Sequence, residues 1–185
     1  MSLATLLLAA VLLSLERLCY IWVWHAPGTF LAWVARAPLA FSVRALDAGK
    51  DPTAALAMLF YGFKALQLAV FLLWVLVHGQ GALWPLQAPP WAIGLGLALI
   101  AVGQTLNISV FHRLGFVGVF YGCRFGARVP WCGRFPYSWF AHPQYVGAVL
   151  SIWGGFVILR YPHADWHVIP LLETVYYTIG ARLEQ

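Results

Sequence analysis

The sequence predicts an all-α, polytopic transmembrane helical bundle: four to five membrane helices plus an interfacial or re-entrant helix. Three observations predict it. Of 185 residues, 62% are apolar and only 9% charged, against roughly 25% charged in a typical soluble domain. That leaves too little polar surface to clothe a soluble globule of this size. The apolar residues fall into runs of membrane-crossing length, separated by proline, glycine and charge. Ten tryptophans and eight tyrosines suit a chain with many membrane–water boundaries, where amphipathic rings settle.

The first run, residues 3–24, is long enough to cross a hydrocarbon core of about 30 Å. Its apolar stretch continues past any plausible cleavage point without a basic leader, so it reads as a span and not as a removed signal peptide. Glu16 and Arg17 interrupt it, either as a mutually compensating pair or as the lining of a polar cavity for a headgroup. Pro27 and Gly28 break the helix, and residues 28–46, with Arg36 and Arg44, suit an interfacial or re-entrant helix. The polar turn DAGKDP ends in Asp51-Pro52, a helix start. Residues 53–78 form the second span, in which Lys64 points into the bundle or snorkels. Residues 79–90 read as an uncharged loop, and residues 91–111 as the third span, with packing glycines at Gly94, Gly96 and Gly103. Residues 145–159 and 168–183 are two shorter apolar runs separated by RYPHADWH, a candidate tilted hairpin.

Orientation follows from the lysines and arginines. The loop 25–52 carries Arg36, Arg44 and Lys50, and the loop 112–142 carries Arg113, Arg124, Arg128 and Arg134. The segment before the first span and the loop 79–90 carry none. The N-terminus is therefore expected outside and the arginine-bearing ends in the cytosol. If both final runs cross, the C-terminus with Arg182 is cytosolic too. The net charge of +5 is spread singly and forms no basic run, so it implies anionic lipid headgroups and no nucleic acid. Cys19, Cys123 and Cys132 lack CxxC spacing, and no His/Cys cluster has metal-ligand spacing; neither a disulfide framework nor a metal is expected.

Polar chemistry concentrates between Gly103 and Gly147. Gly115, Gly118, Gly122 and Gly126 are spaced three and four apart, on one face if a helix persists. That face serves close helix packing or lets a flat ligand approach the backbone. Tyr121, Arg124 and Arg128 add a hydroxyl and two charges suited to carboxylate or phosphate; those arginines equally suit a plain surface loop. His142-Pro143 opens a helical run whose first N–H groups form an anion seat, though a turn histidine is also an ordinary reading. Glu173, Tyr177, Gly180 and Glu184 share one helical face. There Glu173 is either a partner of Lys64 or an arginine, or a ligand-binding carboxylate.

The runs GQTLNISVFHRLGFVGVFYGCRFG, RVPW and RFPYSWFAHPQYVG closely resemble the integral-membrane phospholipid N-methyltransferases, especially their short plant-type form. The likeness is dense over residues 102–147 and looser over 50–68, where KDP and KALQL stand. It implies one membrane methyltransferase domain over residues 1–185, with its catalytic core at about 91–185. It further implies methyl transfer from S-adenosylmethionine to the amine of phosphatidylethanolamine derivatives, ending at phosphatidylcholine. The membrane implied is the endoplasmic reticulum in a eukaryote or the cytoplasmic membrane in a bacterium.

In that family a Gly-x-Gly at the end of the third span and a C-terminal Glu-Glu belong to the cofactor. Here they read Ala101-Val102-Gly103 and Glu184-Gln185. The Pro-x-Tyr-x-Gly element matches as Pro143, Tyr145 and Gly147. It is shared with isoprenylcysteine carboxyl methyltransferases, whose version often begins His-Pro, as His142-Pro143 does. The cofactor set so implied is Ala101, Gly103, Gly122, Arg124, Gly126, Arg128, His142, Pro143, Tyr145, Gly147 and Glu184. A sulfonium methyl needs an in-line neutral amine, so a proton must first leave the lipid ammonium; Glu173, Tyr121, His142 and Glu184 are candidate acceptors. Two rivals stand beside this reading. One is a prenylated-cysteine or thiol acceptor with the same donor. The other is a small membrane adaptor in which the glycines only join helices.

Overall fold

The computed structural model describes residues 2–36, 51–79, 87–130 and 133–184. Among them the regular elements are all helical: α1 (Leu3–His25), α2 (Pro27–Arg36), α3 (Pro52–His78), α4 (Pro90–Val119), a 3₁₀ turn (Gly122–Phe125), α5 (Pro143–Arg160) and α6 (Val168–Leu183). Arg44, Lys50, the second half of the expected interfacial helix, the turn residues 47–50, the loop residues 80–86, Trp131 and Cys132 lie outside the described residues. Three helical stretches are long and apolar enough to cross a membrane: α1, α3, and α4 continued through the 3₁₀ turn. The chain is an integral membrane protein.

Helix starts follow local chemistry. The Asp51 carboxylate accepts from the Thr53 N–H at 2.9 Å, and Pro52 follows at the first helical position, where its missing N–H costs nothing. Prolines also open α2, α4 and α5. Helix α4 runs beyond the expected end at residue 111, because His112 and Arg113 remain in the helix with their side chains exposed. The helix breaks at Gly115, whose φ of 64° and ψ of −179° form a combination open almost only to glycine. Gly126 has φ 85° and ends the 3₁₀ turn. The glycines at 115, 118, 122 and 126 therefore do not share one helical face: two of them are where the helix cannot continue.

Helices α4 and α5 pack antiparallel at backbone contact. A methyl on Gly103 would lie 2.4 Å from the Gly147 carbonyl oxygen, and one on Gly154 would lie 2.5 Å from that of Gly96. Two small-residue pairs thus let the helices touch without side chains between them, and the Gln104 amide donates to the Ser151 hydroxyl at 2.9 Å beside them. Helix α6 joins this pair through the Trp153 indole, which donates to Thr174 at 3.0 Å, and α1 through Tyr176, which donates to the Ala10 carbonyl at 2.9 Å.

The two ends of the bundle differ. One gathers the C-termini of α1, α4 and α6 with the N-termini of α3 and α5, and with them Arg113, Arg124, Arg134 and Arg182. At the other end Arg160 is buried and paired with Asp165. Asp165 also accepts from the Trp74 indole at 3.0 Å, while Arg160 donates to the His78 carbonyl at 3.2 Å. Partial burial pushes the Asp165 carboxyl upward, but the hydrogen bonds and charge of Arg160 and the Trp74 bond outweigh it and hold it below its ordinary value. A depressed folded-state pKa stabilises above the unfolded value, about 4, and that contribution is lost as pH falls through the folded value. The thermal midpoint of the wild type should therefore fall on acidification below about pH 4, and Asp165→Asn should remove part of that dependence. Parallel pH curves for the two proteins would refute the pairing.

Candidate active site

A cavity of about 520 Å³ opens among α1, α3, α4, α5 and α6, within the range of about 300–1,000 Å³ usual for ligand pockets. It extends from the arginine-bearing end, at Trp24, Cys123 and His142, inward to Gln67 and Ile152. Its rings include those of Tyr20, Trp24, Phe60, Tyr121, Tyr145 and Tyr177. Such faces attract a cation, most strongly where water is thin.

Tyr145 stands at the centre. Its hydroxyl donates to the Glu184 carboxylate, with both oxygens at 2.5 Å, and lies 3.1 Å from the Tyr121 hydroxyl. With its proton committed to Glu184, Tyr145 accepts from Tyr121, so the chain of hydroxyls points toward the carboxylate. Tyr121 reaches this position with a left-handed backbone, φ 54° and ψ 30°, a conformation costing a non-glycine residue about 1–3 kcal/mol. The His142 ring stacks on Tyr145 at 5.7 Å and precedes Pro143 at the start of α5.

Below this trio lies a buried ionic cluster drawn from three helices. Glu16 pairs with Arg17 at 2.7 Å and with Lys64 at 3.0 Å. Lys64 also donates to Gln67 at 3.1 Å and to the Tyr177 hydroxyl at 3.0 Å. Gln67 donates to Glu173 at 2.7 Å. The partner Glu173 finds is an amide, and the Lys64 bonds expected for it go to Glu16 instead. Asn107 lines the cavity, and its buried Oδ1 makes no hydrogen bond.

Of the residues expected at the site, Tyr121, His142, Pro143, Tyr145 and Glu184 line the cavity. The rest stand elsewhere. Glu173 is 1% exposed and held by Gln67 behind the cavity wall. Gly103 and Gly147 face each other in the α4–α5 contact, and Ala101 opens onto a separate apolar cleft with Phe135 and Trp139. Gly122 is folded against Val117 of α4, and Gly126 is exposed. Arg128 is also exposed; Arg124 bonds the Trp24 carbonyl and lies over the Trp24 ring at 4.8 Å. Sequence reasoning missed Tyr20, Gln67 and Asn107 as cavity residues. Asn107 and Gln67 had a signal, standing in the GQTLN and KALQL runs; Tyr20 projects from a long apolar helix without one.

Among the described residues no three His, Cys, Asp or Glu side chains are placed to hold a metal ion. A family model for phospholipid methyltransferases matches residues 91–185. The chain is 31% identical over 146 residues to the phosphatidyl-N-methylethanolamine N-methyltransferase of Arabidopsis thaliana, an alignment covering 79% of this chain and 75% of that protein. It is 38% identical over 77 residues to the phosphatidylethanolamine N-methyltransferase of Homo sapiens, covering 40% and 37% respectively. No solved structure matches. The matched segment takes in α4, α5 and α6 with the Tyr121–Tyr145–Glu184 trio, and the chain belongs to the phospholipid methyltransferase family.

Proposed function

We propose that the chain transfers methyl groups from S-adenosylmethionine to the amine of phosphatidylethanolamine derivatives, chiefly the mono- and dimethylated forms, yielding phosphatidylcholine. The observation that carries this reading is the aromatic cavity closed on one side by Tyr145 and Glu184, within a chain similar to enzymes named for these lipids. The whole chain acts as one domain: α1 and α3 complete the walls of a core formed by residues 91–185. Helices α5 and α6, at 18 and 16 residues, cross as a tilted pair, and the arginine-bearing end faces the cytosol. The membrane is that of the endoplasmic reticulum if the host is a eukaryote.

The cavity suits the donor. A sulfonium is a cation, and Tyr20, Trp24, Tyr121 and Tyr145 supply ring faces for it. S-adenosylmethionine contributes a methyl group on a cationic sulfur leaving group, so the protein's tasks are alignment, exclusion of water and removal of a proton. Tyr145 and Glu184 take the last of these. The N–H bond of the lipid ammonium breaks, its proton passes to the Tyr145 oxygen as the Tyr145 proton moves to the Glu184 carboxylate, and the amine lone pair is freed. Tyr121, hydrogen-bonded to Tyr145, fixes its orientation. His142 braces the same ring by stacking, and Glu173 serves the ionic cluster and takes no part in proton transfer.

Purified protein should transfer label from S-adenosylmethionine to mono- and dimethylated phosphatidylethanolamine in mixed micelles. Transfer to a prenylated cysteine and to no lipid would overturn the assignment. Glu184→Gln separates proton transfer from donor binding: it should lower kcat about 100-fold or more with donor affinity near wild type. A raised donor dissociation constant with kcat unchanged would move Glu184 from the proton path to the donor's recognition.

A further inference from the structure

Arg17 lies inside the apolar run of α1 and is only 6% exposed. A guanidinium there is costly unless its charge and its donors are met. The charge is met in part: Nη2 pairs with Glu16 at 2.7 Å, and the group lies over the rings of Tyr177 at 4.1 Å, Tyr20 at 5.1 Å and Tyr145 at 5.3 Å. Its other nitrogen, Nη1, is buried and makes no hydrogen bond, although Arg17 borders the cavity. Buried donors in native proteins almost always have an acceptor, and leaving a charged one without any is expensive. Its ion-pair partner Glu16 is shared with Lys64, and the nearby Glu173 carboxylate accepts from Gln67.

We propose that Arg17 Nη1 is the seat of an anionic oxygen group of a ligand in this cavity, which supplies the acceptor that this buried donor lacks in the protein alone. On the function assigned above, on which this inference rests, two groups have that chemistry: the carboxylate of the methyl donor and the phosphate of the lipid headgroup. The planar fork of arginine fits either one. The rings of Tyr177 and Tyr20 lie against the fork, and the missing side chain at Gly180, where a methyl would come within 3.6 Å of Arg17 Cδ, leaves room for its stem. Arg17 lies outside the segment matched by the family model, so the anion seat is contributed by the first span.

The test uses full-length protein in lipid nanodiscs, with wild type, Arg17→Gln and Arg17→Lys. Calorimetry measures the affinity of S-adenosylhomocysteine and of its decarboxylated analogue, and a kinetic assay measures KM for dimethylated phosphatidylethanolamine. If the donor carboxylate is the anion, both substitutions weaken S-adenosylhomocysteine about 10–100-fold and leave the decarboxylated analogue unchanged. If the lipid phosphate is the anion, both adenosyl ligands bind as before and KM rises by a similar factor. Folded variants in which only the thermal midpoint moves overturn the anion seat. Should neither variant fold, wild type reads the site directly. It should prefer the carboxylated ligand to its analogue, or the phosphodiester lipid to its neutral phosphate-methylated form; equal handling within both pairs overturns the proposal. A wild type that binds no adenosyl ligand and methylates no lipid overturns the assigned function and the seat with it, whereas wild-type binding indifferent to Arg17 overturns the seat alone.

Discussion

Tyr145→Phe is expected to lower kcat about 100-fold or more, the usual scale for losing a positioned proton-transfer group. The substitution removes one oxygen and keeps the ring, so stacking on His142 and the edge contact with Tyr177 remain. What is lost is the link between Tyr121 and Glu184, with a stability cost of about 1 kcal/mol for the bonds removed. Tyr121→Phe should be milder, because it leaves the Tyr145–Glu184 hydrogen bond in place. Turnover measured at saturating donor and lipid distinguishes these outcomes. Full turnover in Tyr145→Phe would place the proton path elsewhere in the cavity.

The largest effect on folding is expected at Gly147. A single methyl there would lie 2.6 Å from the Gly103 carbonyl oxygen and 2.7 Å from Asn107 Oδ1, and backbone carbonyls of a packed helix cannot step aside. Gly147→Val must therefore separate α4 from α5, at a cost of about 3 kcal/mol, lowering the thermal midpoint in detergent by about 10 °C for a chain of this size. Gly155, one residue beyond the Gly154 contact, has nothing within 4 Å of its added methyl. Gly155→Ala should be neutral or gain up to about 1 kcal/mol from helix propensity. Equal behaviour of the two variants would mean that α4 and α5 do not meet at their glycines.

Helix positions were largely legible because membrane helices are written in runs of apolar residues closed by proline and charge. The last run was read as 168–183 and is α6, Val168–Leu183; the second was read as 53–78 and is α3, Pro52–His78. The end of α4 was not legible, since His112 and Arg113 read the same whether they leave the helix or project from it at the membrane boundary. Gly115 and Gly126 looked like steps of one ladder because spacing carries no information about the sign of φ. Among the cavity residues, Tyr145 was marked by the resemblance alone, and Glu184 by both the resemblance and the helical face it shares with Glu173, Tyr177 and Gly180. Arg124 and Arg128 were marked by charge, and charge does not disclose placement: Arg128 is exposed, and Arg124 is held on Trp24 at the cavity rim. The cluster Glu16–Lys64–Tyr177 joins residues as far as 113 positions apart, a relation that no local pattern encodes.

The short turn that carries Arg124 back onto the Trp24 carbonyl has a consequence for how the molecule divides. It fastens the end of the first span to the segment shared with the family, and the cavity between them is of mixed parentage. Tyr121, Tyr145 and the Glu184 carboxylate come from the family-matched residues 91–185, whereas Glu16, Arg17 and Lys64 come from before them. On the function proposed above, the family-matched half would carry the proton path and the first two spans the cationic wall. A chimaera that exchanges only the first two spans between relatives should keep the proton-handling groups and inherit the donor's taste for charge, making α1 and α3 the interchangeable part of the enzyme.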